Sequence, residues 1–496
     1  MLVWLGLAGQ LVAYLADART VDLDVFHQMS LIREALASGA IPRTDVFAYT
    51  RTLDPVVHHE WGTGALLYAA WHVAGAGPSA LGIVRYALVA AITGLAYACA
   101  RRRRATAASI AVLGPIAMFL LVVAVYSPVR AGAFTTLFVA ILLVLLEVDR
   151  TGGRWWILPW LVLHVVWVNM HGGFVVGFAV VGAAAAERFT ASRLGGRAAR
   201  TAATSVGHLV WVAAAMALLA LLNPYGWEYV SYLWRAILMH RPSIPEWAPP
   251  WDARGSRALL AVYCASLVVL LSVIWLAGRR TALSVSGWAL VLGSSLAAAS
   301  SVRHLPLHAL AWLAYVAPLF ARTQLGAAVE RWSARVPVVA GASVAFAVLG
   351  GWTALGGGAS TVTIPGVPDR SDRWYPVGAV EYLSASRFEG RLLTRFEDGS
   401  YVSWKLHPAV RVSFDSRYEA AYPQGTFERH AALFAAADGW EAVLRRDPAD
   451  AILVPATSPL GAALDRRAAE WRCVYRDRVD TIYVRRLGAG AARGPQ

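Results

Sequence analysis

Residues 101–126 read RRRRATAASIAVLGPIAMFLLVVAVY: four arginines are followed by 22 residues without a charged side chain. About 20 mostly apolar residues suffice for a helix to cross the hydrocarbon core of a bilayer. Positive charge beside such a helix stays on the cytoplasmic side. The stretch therefore predicts a membrane-spanning helix that begins at the cytoplasmic face.

The composition of the whole chain agrees with a membrane protein. Hydrophobic residues make up 57% of its 496 residues and charged residues 15%, with a mean hydropathy of +0.50. Soluble domains have about 45–50% apolar and about 25% charged residues, so the chain is not soluble throughout, not disordered and not a coiled coil. Its three cysteines lie far apart, which argues against a disulfide framework and against a zinc site.

Eleven segments are apolar enough to be candidate spans. They are residues 2–18, 79–100, 105–126, 131–148, 155–170, 173–189, 205–222, 258–277, 284–302, 305–321 and 336–356. The first has no basic start and no small-residue cleavage site, so we interpret it as a retained span rather than a signal peptide. Trp61–Gly75 is also apolar, but counting it as a span would put Arg101–Arg104 outside. We therefore expect it to be an interfacial or re-entrant helix.

The predicted topology accounts for the net charge of +14. With the N-terminus in the cytoplasm, the cytoplasmic loops contain 15 arginines and four acidic residues, a net charge of +11. The outer loops carry +1, and the tail from residue 360 carries +2. The positive charge is thus a topology signal, and we expect no nucleic-acid partner.

The chain changes character near residue 358, where charged residues become more frequent. Gly356–Gly358 and Pro365–Pro368 indicate a linker. The predicted strands after it are Arg391–Phe396, Val410–Phe414, Ala451–Val454, Arg472–Tyr475 and Thr481–Val484, and the helical patterns are Ala379–Ala385, Ala431–Arg445 and Leu460–Trp471. We therefore predict a mainly α, polytopic membrane domain over residues 1–357, with a long first outer loop at 19–78. Residues 358–496 are predicted to form a small extracytoplasmic α/β domain.

The predicted outer loops contain most of the chemically distinctive residues. The first loop begins with Asp22-Leu-Asp24-Val-Phe26-His27 and continues as an amphipathic helix that ends at Ser38-Gly39. The other outer candidates are His58, His59, Glu60, Arg85, Arg130, Asn169, His171, Glu246, Arg303 and His304. Charged groups at a membrane boundary are costly unless they are solvated or paired. Their shared side suggests an active site in which a carboxylate deprotonates a hydroxyl and arginines bind a phosphate.

Each of these residues also has a structural interpretation, which the sequence leaves open. Asp22 or Asp24 could cap the helix that starts near Val25. Other structural alternatives are a helix cap at His58–Glu60, tight turns at Asn169–Gly173 and Asn223–Gly226, and lipid-headgroup contacts at Arg130, Arg303 and His304. In the outer domain, Asp415 and Arg417 suggest a buried structural pair.

The order of these motifs resembles the integral-membrane GT-C glycosyltransferases. The resemblance rests on the acids after the first span and on His58-His59-Glu60-Trp61 followed by Gly75-Ala-Gly77 and Arg85. It is closest to an uncharacterised bacterial subgroup with a C-terminal extracytoplasmic domain. The similar phrases are Gly39-Ala-Ile41-Pro42-Arg43-Thr44-Asp45, Asn169-Met-His171-Gly172-Gly173, Asn223-Pro224-Tyr225-Gly226, Glu246-Trp247, Gly399-Ser-Tyr401 and Phe414-Asp415-Ser-Arg417. The resemblance implies a bacterial plasma (inner) membrane and a polyprenyl-phosphate-linked sugar donor.

One departure from the GT-C pattern concerns metal binding. Many members have a second acid in the next outer loop, where it helps to hold a divalent metal. Here that loop is Tyr126-Ser127-Pro128-Val129-Arg130, without an acid. Whether Mg²⁺ or Mn²⁺ is bound stays open, and Glu60 would have to supply the second carboxylate.

The resemblance implies a single displacement of the sugar onto an extracytoplasmic acceptor. Asp24, or Asp22, is assigned as the general base. Arg303, with Arg130, Arg85 or His304, is assigned to the donor phosphate. The candidates for acceptor contacts or a second acid are Glu60, His59, His58, His171, Asn169 and Glu246. Two alternatives remain: a non-catalytic cell-envelope scaffold of the same fold, and a transporter or flippase of a lipid-linked substrate.

Overall fold

The computed structural model describes residues 19–125, 129–194, 206–239, 241, 244–252, 255–278, 283–335, 341, 344–345, 348, 362–368 and 374–486. The predicted span at 2–18 and the predicted linker at Gly356–Gly358 lie outside these residues, as does nearly all of the predicted span at 336–356. The acid-free loop at Tyr126–Arg130 is described only from Val129 onward.

The described elements are numbered here in chain order. The helices are α1 (Leu23–Ser38), α2 (Trp61–His72), α3 (Pro78–Arg102), α4 (Ala107–Val125), α5 (Ala131–Arg150), α6 (Ile157–Met170), α7 (Val175–Leu194), α8 (Gly207–Leu219), α9 (Trp227–Leu238), α10 (Arg257–Ala277), α11 (Val285–Ser300), α12 (Leu305–Ala321), α13 (Gln324–Ser333), α14 (Val377–Ala385), α15 (Phe396–Leu406), α16 (Tyr418–Ala421), α17 (Thr426–Phe434), α18 (Trp440–Arg446) and α19 (Pro459–Asp465). The strands are β1 (Gly390–Leu393), β2 (Val410–Val412), β3 (Ala451–Pro455), β4 (Trp471–Arg476) and β5 (Asp480–Arg485).

The chain divides into two compact units. The first, called here the helical unit, comprises Met1–Arg19 and Ser79–Thr361. The second, called the α/β unit, comprises Thr20–Pro78 and Val362–Gln496. The segment predicted as the first outer loop therefore belongs, by its contacts, to the same unit as the C-terminal domain.

The helical unit contains the membrane-spanning helices. Within the described residues, six helices are long and apolar enough to cross a membrane: Pro78–Arg102, Ala107–Val125, Ala131–Arg150, Gly172–Arg193, Arg257–Ala277 and Val302–Ala321. Three shorter apolar helices accompany them, Ile157–Met170, Gly207–Leu219 and Val285–Ser300. Nine of the eleven predicted spans correspond to these helices. α2 has 12 residues and is therefore about 18 Å long, too short to cross a bilayer of about 30 Å.

Acidic side chains at one end of the helical bundle are paired with arginines. Asp149, at the end of α5, forms an ion pair with Arg188 and accepts hydrogen bonds from His208 Nε2 at 2.9 Å and Trp156 Nε1 at 3.1 Å. Glu147 pairs with Arg103. All these residues come from predicted cytoplasmic loops or the ends of the adjoining spans, so the structure places them on a common side.

The sheet of the α/β unit has the order β2-β1-β3-β5-β4. β1 pairs in parallel with β2 and β3, whereas β5 pairs antiparallel with β3 and β4. All five predicted strands are present, with shifted ends. The helix predicted over Ala431–Arg445 was wrong: two helices, α17 and α18, lie there, and Gly439 between them has φ +80°. A positive φ favours glycine and interrupts a right-handed helix.

The 20–78 segment is joined to the C-terminal domain by backbone bridges and side-chain hydrogen bonds. Thr20 pairs with Thr363, and Ala48 pairs with Val412 of β2. Arg33 Nη1 donates to the carbonyl of Trp404 at 2.6 Å. The sheet core, including Leu393, Ile452, Val454 and Tyr483, is buried. The two parts of the chain thus form one packed unit.

Candidate functional site

Arg130 and Glu246 come from two predicted outer loops of the helical unit and form an ion pair. Arg130 precedes α5, and Glu246 lies in the short 3-10 helix Pro245–Trp247. Both guanidinium Nη atoms contact the carboxylate, with Nη2 donating to Oε1 at 2.9 Å. Arg303 Nη1 lies 3.8 Å from the same Oε1. One carboxylate therefore contacts two arginines from different loops.

Trp247 orients the second of these arginines. The Arg303 guanidinium lies over the Trp247 ring at 4.9 Å, and Arg241 lies over the same ring at 4.4 Å. Cation–π contacts of this kind fix the plane of a guanidinium. The hydroxyl of Ser301 donates to the backbone carbonyl of Glu246 at 2.8 Å. These contacts tie the Glu246–Trp247 turn to the start of the helix that carries Arg303.

A hydrogen-bond chain positions the ring of His171. Trp167 Nε1 donates to Thr135 Oγ1 at 3.0 Å, and this oxygen lies 2.7 Å from His171 Nδ1. The backbone N–H of Gly173 also donates to His171 Nδ1, at 3.0 Å. Thr135 and Gly173 thus fix the position of the His171 ring.

The other ring nitrogen of His171 contacts Arg303. Arg303 Nη2 lies 3.1 Å from His171 Nε2. Arg303 is the donor in this contact, and its guanidinium has further N–H groups that can donate to a ligand. With Arg130 held nearby through Glu246, the arrangement suits an oxyanion.

Gly173 is required by this arrangement. A Cβ atom at this position would lie 2.4 Å from Thr135 Oγ1 and 2.7 Å from His171 Nδ1. The tight turn that the sequence offers at Asn169–Gly173 therefore gives only part of the reason for glycine here. At Gly173 the reason for glycine is the close approach of these side chains.

The remaining candidates of the helical unit have individual partners. Asn169 Nδ2 donates to the carbonyls of Val165 and Leu222, at 2.8 and 2.9 Å, so it closes a turn. His304 Nδ1 donates to the carbonyl of Ala297 at 3.0 Å, and its ring packs edge-on against Trp247. Arg85 is buried in α3, where Nε donates to the Val125 carbonyl at 3.0 Å.

In the α/β unit, Asp22 and Asp24 occupy different positions at the start of α1. Asp22 is the N-cap: its Oδ1 accepts from the backbone N–H of Asp24 at 3.0 Å, and the residue is only 4% exposed. The helix therefore begins at Leu23, two residues before the predicted start. Asp24 lies in the first turn with 20% of its side chain exposed, and its Oδ1 is 4.0 Å from His27 Nδ1. The capping alternative thus applies to Asp22.

Glu60 connects the two helices of the 20–78 segment. Its Oε2 accepts from Gln28 Nε2 at 2.6 Å, and its Oε1 lies 3.4 Å from His59 Nε2. In the described part of the chain, no three His, Cys, Asp or Glu side chains form a group that could hold a metal ion. Each carboxylate oxygen of Glu60 thus has a nitrogen atom beside it.

A buried charge cluster, absent from the predicted site, lies in the same unit. Arg417 Nε and Nη2 donate to the Asp415 carboxylate at 2.9 and 2.8 Å, and Nη1 pairs with Asp45. Burial alone would raise the pKa of Asp45, but the charge and hydrogen bond of Arg417 hold it below its usual value. The prediction that Asp415 and Arg417 form a buried pair is confirmed. The third member lies 372 residues away from Arg417, and no pattern in the sequence indicates it.

Two histidines beside this cluster are neutral. Burial, with a smaller contribution from the Arg417 charge, lowers the pKa of His58 to about 3. Burial likewise lowers the pKa of His27 to about 4, although Asp415 and Glu60 oppose the shift. His27 Nδ1 lies 2.9 Å from Ser416 Oγ, which links α1 to the Asp415–Arg417 segment.

The fold and these clusters define a polytopic helical membrane protein with a small α/β domain. It is similar to the crystal structure of the Archaeoglobus fulgidus oligosaccharyltransferase tethered with an acceptor peptide containing the NVT sequon. The TM-score is 0.57 at 12% identity, covering 92% of this chain and 68% of that chain. It is also similar to the archaeal oligosaccharyltransferase AglB from the same organism, in complex with an inhibitory peptide and a dolichol-phosphate. For this second structure the TM-score is 0.54 at 12% identity, covering 91% of this chain and 69% of that chain.

These structures have the GT-C fold, so the resemblance expected from the sequence is confirmed at the level of the fold. At 12% identity the likeness carries no further than that. No family model matches the chain. A search of curated proteins gives no match either.

Proposed function

We propose that the protein is a membrane glycosyltransferase of the GT-C kind. It would move a sugar from a polyprenyl-phosphate donor to an extracytoplasmic acceptor by single displacement. The observation that carries this proposal is the convergence of Arg130 and Arg303 on Glu246, with His171 in contact with Arg303. A lipid-linked phosphate is the ligand class that such a site at the end of a membrane bundle fits.

In this proposal the arginines act on the leaving group. The acceptor hydroxyl oxygen forms a bond to the anomeric carbon while the bond from that carbon to the phosphate oxygen breaks. Negative charge grows on the phosphate, which leaves with the electron pair. Donors already aimed at that oxygen stabilise the transition state without having to reorganise. The dolichol-phosphate in one of the similar structures supports the same class of ligand.

Asp24 is the proposed general base, which takes the proton of the acceptor hydroxyl. Asp22 is the weaker candidate because its Oδ1 is engaged in capping α1 and the residue is nearly buried. Asp24 retains an exposed fraction of 20% of its side chain, so a substrate can reach it. The proposal assigns no step to a metal ion.

A non-catalytic scaffold of the same fold is the second candidate function. It is favoured by the burial of Asp22 and by the acid-free loop that ends at Arg130. It predicts binding of envelope partners without sugar transfer, so an assay that records binding and transfer separately decides between the two.

The first test measures binding of undecaprenyl phosphate, which requires no knowledge of the sugar. The full-length protein in nanodiscs is titrated, and Arg303→Gln and Arg130→Gln are compared with Arg235→Gln, a control on the exposed face of α9. Losing a charge-assisted contact of about 1.5–3 kcal/mol should weaken binding at least tenfold in the first two variants. Unchanged binding in both would remove the phosphate assignment.

The second test measures transfer. Undecaprenyl-phosphate-linked glucose, mannose and galactose are supplied with membrane extracts as acceptors, and both transfer and free-sugar release are recorded. Asp24→Asn should abolish transfer while phosphate binding stays intact. Asp22→Asn should retain transfer, because asparagine caps a helix about as well as aspartate. Transfer at the wild-type level in Asp24→Asn would refute the role of Asp24.

A further inference from the structure

A polar cavity lies within the α/β unit. It has a volume of about 210 Å³, room for about seven water molecules at about 30 Å³ each. Its walls come from α17, α18 and the 20–78 segment. The polar residues that line it include Arg51, Thr426, Arg429, His430, Arg446 and Asp447.

The charge of this cavity is positive. Three arginines and one aspartate line it, and burial lowers the pKa of His430, so this ring is neutral at neutral pH. The net charge of the lining is therefore +2. Arg446 Nε lies 4.0 Å from Asp447 Oδ2 with more than half of the arginine side chain exposed, a weak pairing that leaves the guanidinium able to bind an anion.

Arg429 is held in place by the turn that precedes α17. Its Nη2 donates to Thr426 Oγ1 at 2.8 Å, and this hydroxyl donates to the Pro423 carbonyl at 2.7 Å. Gly425 has φ +82°, and a Cβ atom there would lie 3.2 Å from Arg429 Nη1. The guanidinium thus packs on the glycine backbone, and its remaining N–H groups have a fixed direction.

His430 adds an acceptor to these donors. Its Nδ1 donates to the Thr426 carbonyl at 3.1 Å, and its ring stacks on Phe414 with centroids 4.8 Å apart. Because Nδ1 carries the proton, Nε2 retains its lone pair. The cavity therefore combines cationic donors with a neutral acceptor, which matches a ligand that has an oxyanion and hydroxyl groups.

We propose that this cavity binds an anionic sugar, a uronate or a sugar phosphate. Arg51, Arg429 and Arg446 would bind its oxyanion, and His430 would accept from a ring hydroxyl. A volume of about 210 Å³ suits one sugar unit. The further assignment, that this sugar belongs to the acceptor polymer, rests on the proposed function.

The binding test uses the full-length protein in uncharged nanodiscs and isothermal titration with glucuronate, glucose 1-phosphate, glucose and inorganic phosphate. We expect glucuronate or glucose 1-phosphate to bind at least tenfold more tightly than glucose, and more tightly than phosphate alone. Arg429→Gln should weaken this binding at least tenfold, and Asp447→Asn should tighten it. Arg445→Gln, exposed on α18 and outside the cavity, is the matched control.

Three results would overturn the proposal: equal binding of glucose and the anionic sugars, binding of phosphate as tight as that of glucose 1-phosphate, or wild-type affinity in both Arg429→Gln and Arg446→Gln. The binding measurement requires no transfer, so it stands if the glycosyltransferase proposal fails. In the transfer assay, Arg429→Gln should lower transfer to anionic acceptors only, whereas Arg303→Gln should lower transfer to every acceptor.

Discussion

Arg303 and His171 lie 132 residues apart in the chain, and the Nη2 atom of the arginine is 3.1 Å from Nε2 of the histidine. Arginine has no acceptor, so the guanidinium is the donor in this contact. This contact lies at the end of the helical bundle where we propose that a phosphate binds.

Thr135 is expected to position His171. In Thr135→Val the ring loses its side-chain partner and the hydrogen-bond chain from Trp167 is broken. Undecaprenyl phosphate should then bind about fivefold more weakly, the effect of one neutral hydrogen bond of about 1 kcal/mol. Titration of nanodisc-embedded protein measures the change. Thr135→Ser restores the hydroxyl and should restore the affinity; failure of this rescue would point to packing instead.

Gly173→Ala should destabilise the helical unit. The added Cβ would meet Thr135 Oγ1 at 2.4 Å, an overlap that costs about 1–3 kcal/mol in packed interiors. Gly182→Ala is the matched control in α7, where a Cβ meets nothing within 4 Å. The melting temperature of the detergent-solubilised protein should fall only for Gly173→Ala. Equal melting temperatures would show that the turn can rearrange.

Acid should destabilise the α/β unit through His27 and His58. Their pKa values fall on folding from about 6.5 to about 4 and about 3. The unfolded state therefore binds more protons below pH 6.5. The stability is fully present above pH 6.5 and declines as the pH falls toward the folded pKa values, by on the order of 3 kcal/mol per histidine.

Thermal unfolding of the full-length protein between pH 7.5 and pH 4.5 measures this decline. His27→Asn and His58→Asn should each flatten the profile. His72→Asn, at an exposed histidine of α2, should leave it unchanged. A profile that keeps its slope in the double variant would assign the acid sensitivity to other groups.

The Asp45–Arg417 pair should be costly to break. Its two side chains are each only 2% exposed, and removal of one partner from a buried ion pair costs about 3–5 kcal/mol. We expect Asp45→Asn to lower the free energy of unfolding by this order. Glu470→Gln removes an exposed partner of Arg467 and should change it by less than about 1 kcal/mol. Chemical unfolding of the full-length chain compares the two; similar losses would contradict the distinction.

Much of the fold was predictable because membrane spans and strands have local signals. A span needs only a continuous apolar stretch, so nine predicted spans correspond to helices. The amphipathic helix of the first loop was predicted together with its end at Gly39, whose φ is +79°. Short helices were less predictable: α15 was missed, and α17 and α18 were merged into one. Helices of 7 to 11 residues carry little periodic signal, and packing decides their ends.

For the candidate site, too, the sequence indicated single residues but not their contacts. Arg130, His171, Glu246 and Arg303 could be selected by their type and predicted side, which is local information. The sequence could not show that Glu246 contacts both arginines. It also could not show that Thr135 and Trp167 fix the ring of His171. These contacts join loops more than 30 residues apart, and the sequence contains no pattern that pairs them. Asp22 and Asp24 looked equivalent until the helix start assigned the cap to Asp22.

The sequence by itself determined the membrane class, the predicted sidedness of the loops and the presence of an α/β domain, because hydrophobic length and charge asymmetry act within single segments. The tertiary structure decided which unit the 20–78 segment joins. It also decided that Arg303 contacts His171. Backbone bridges at Ala48 and Val412 and the buried Asp45–Arg417 pair form only after distant segments pack. Their energies depend on three-dimensional proximity and burial, which no single stretch of residues encodes.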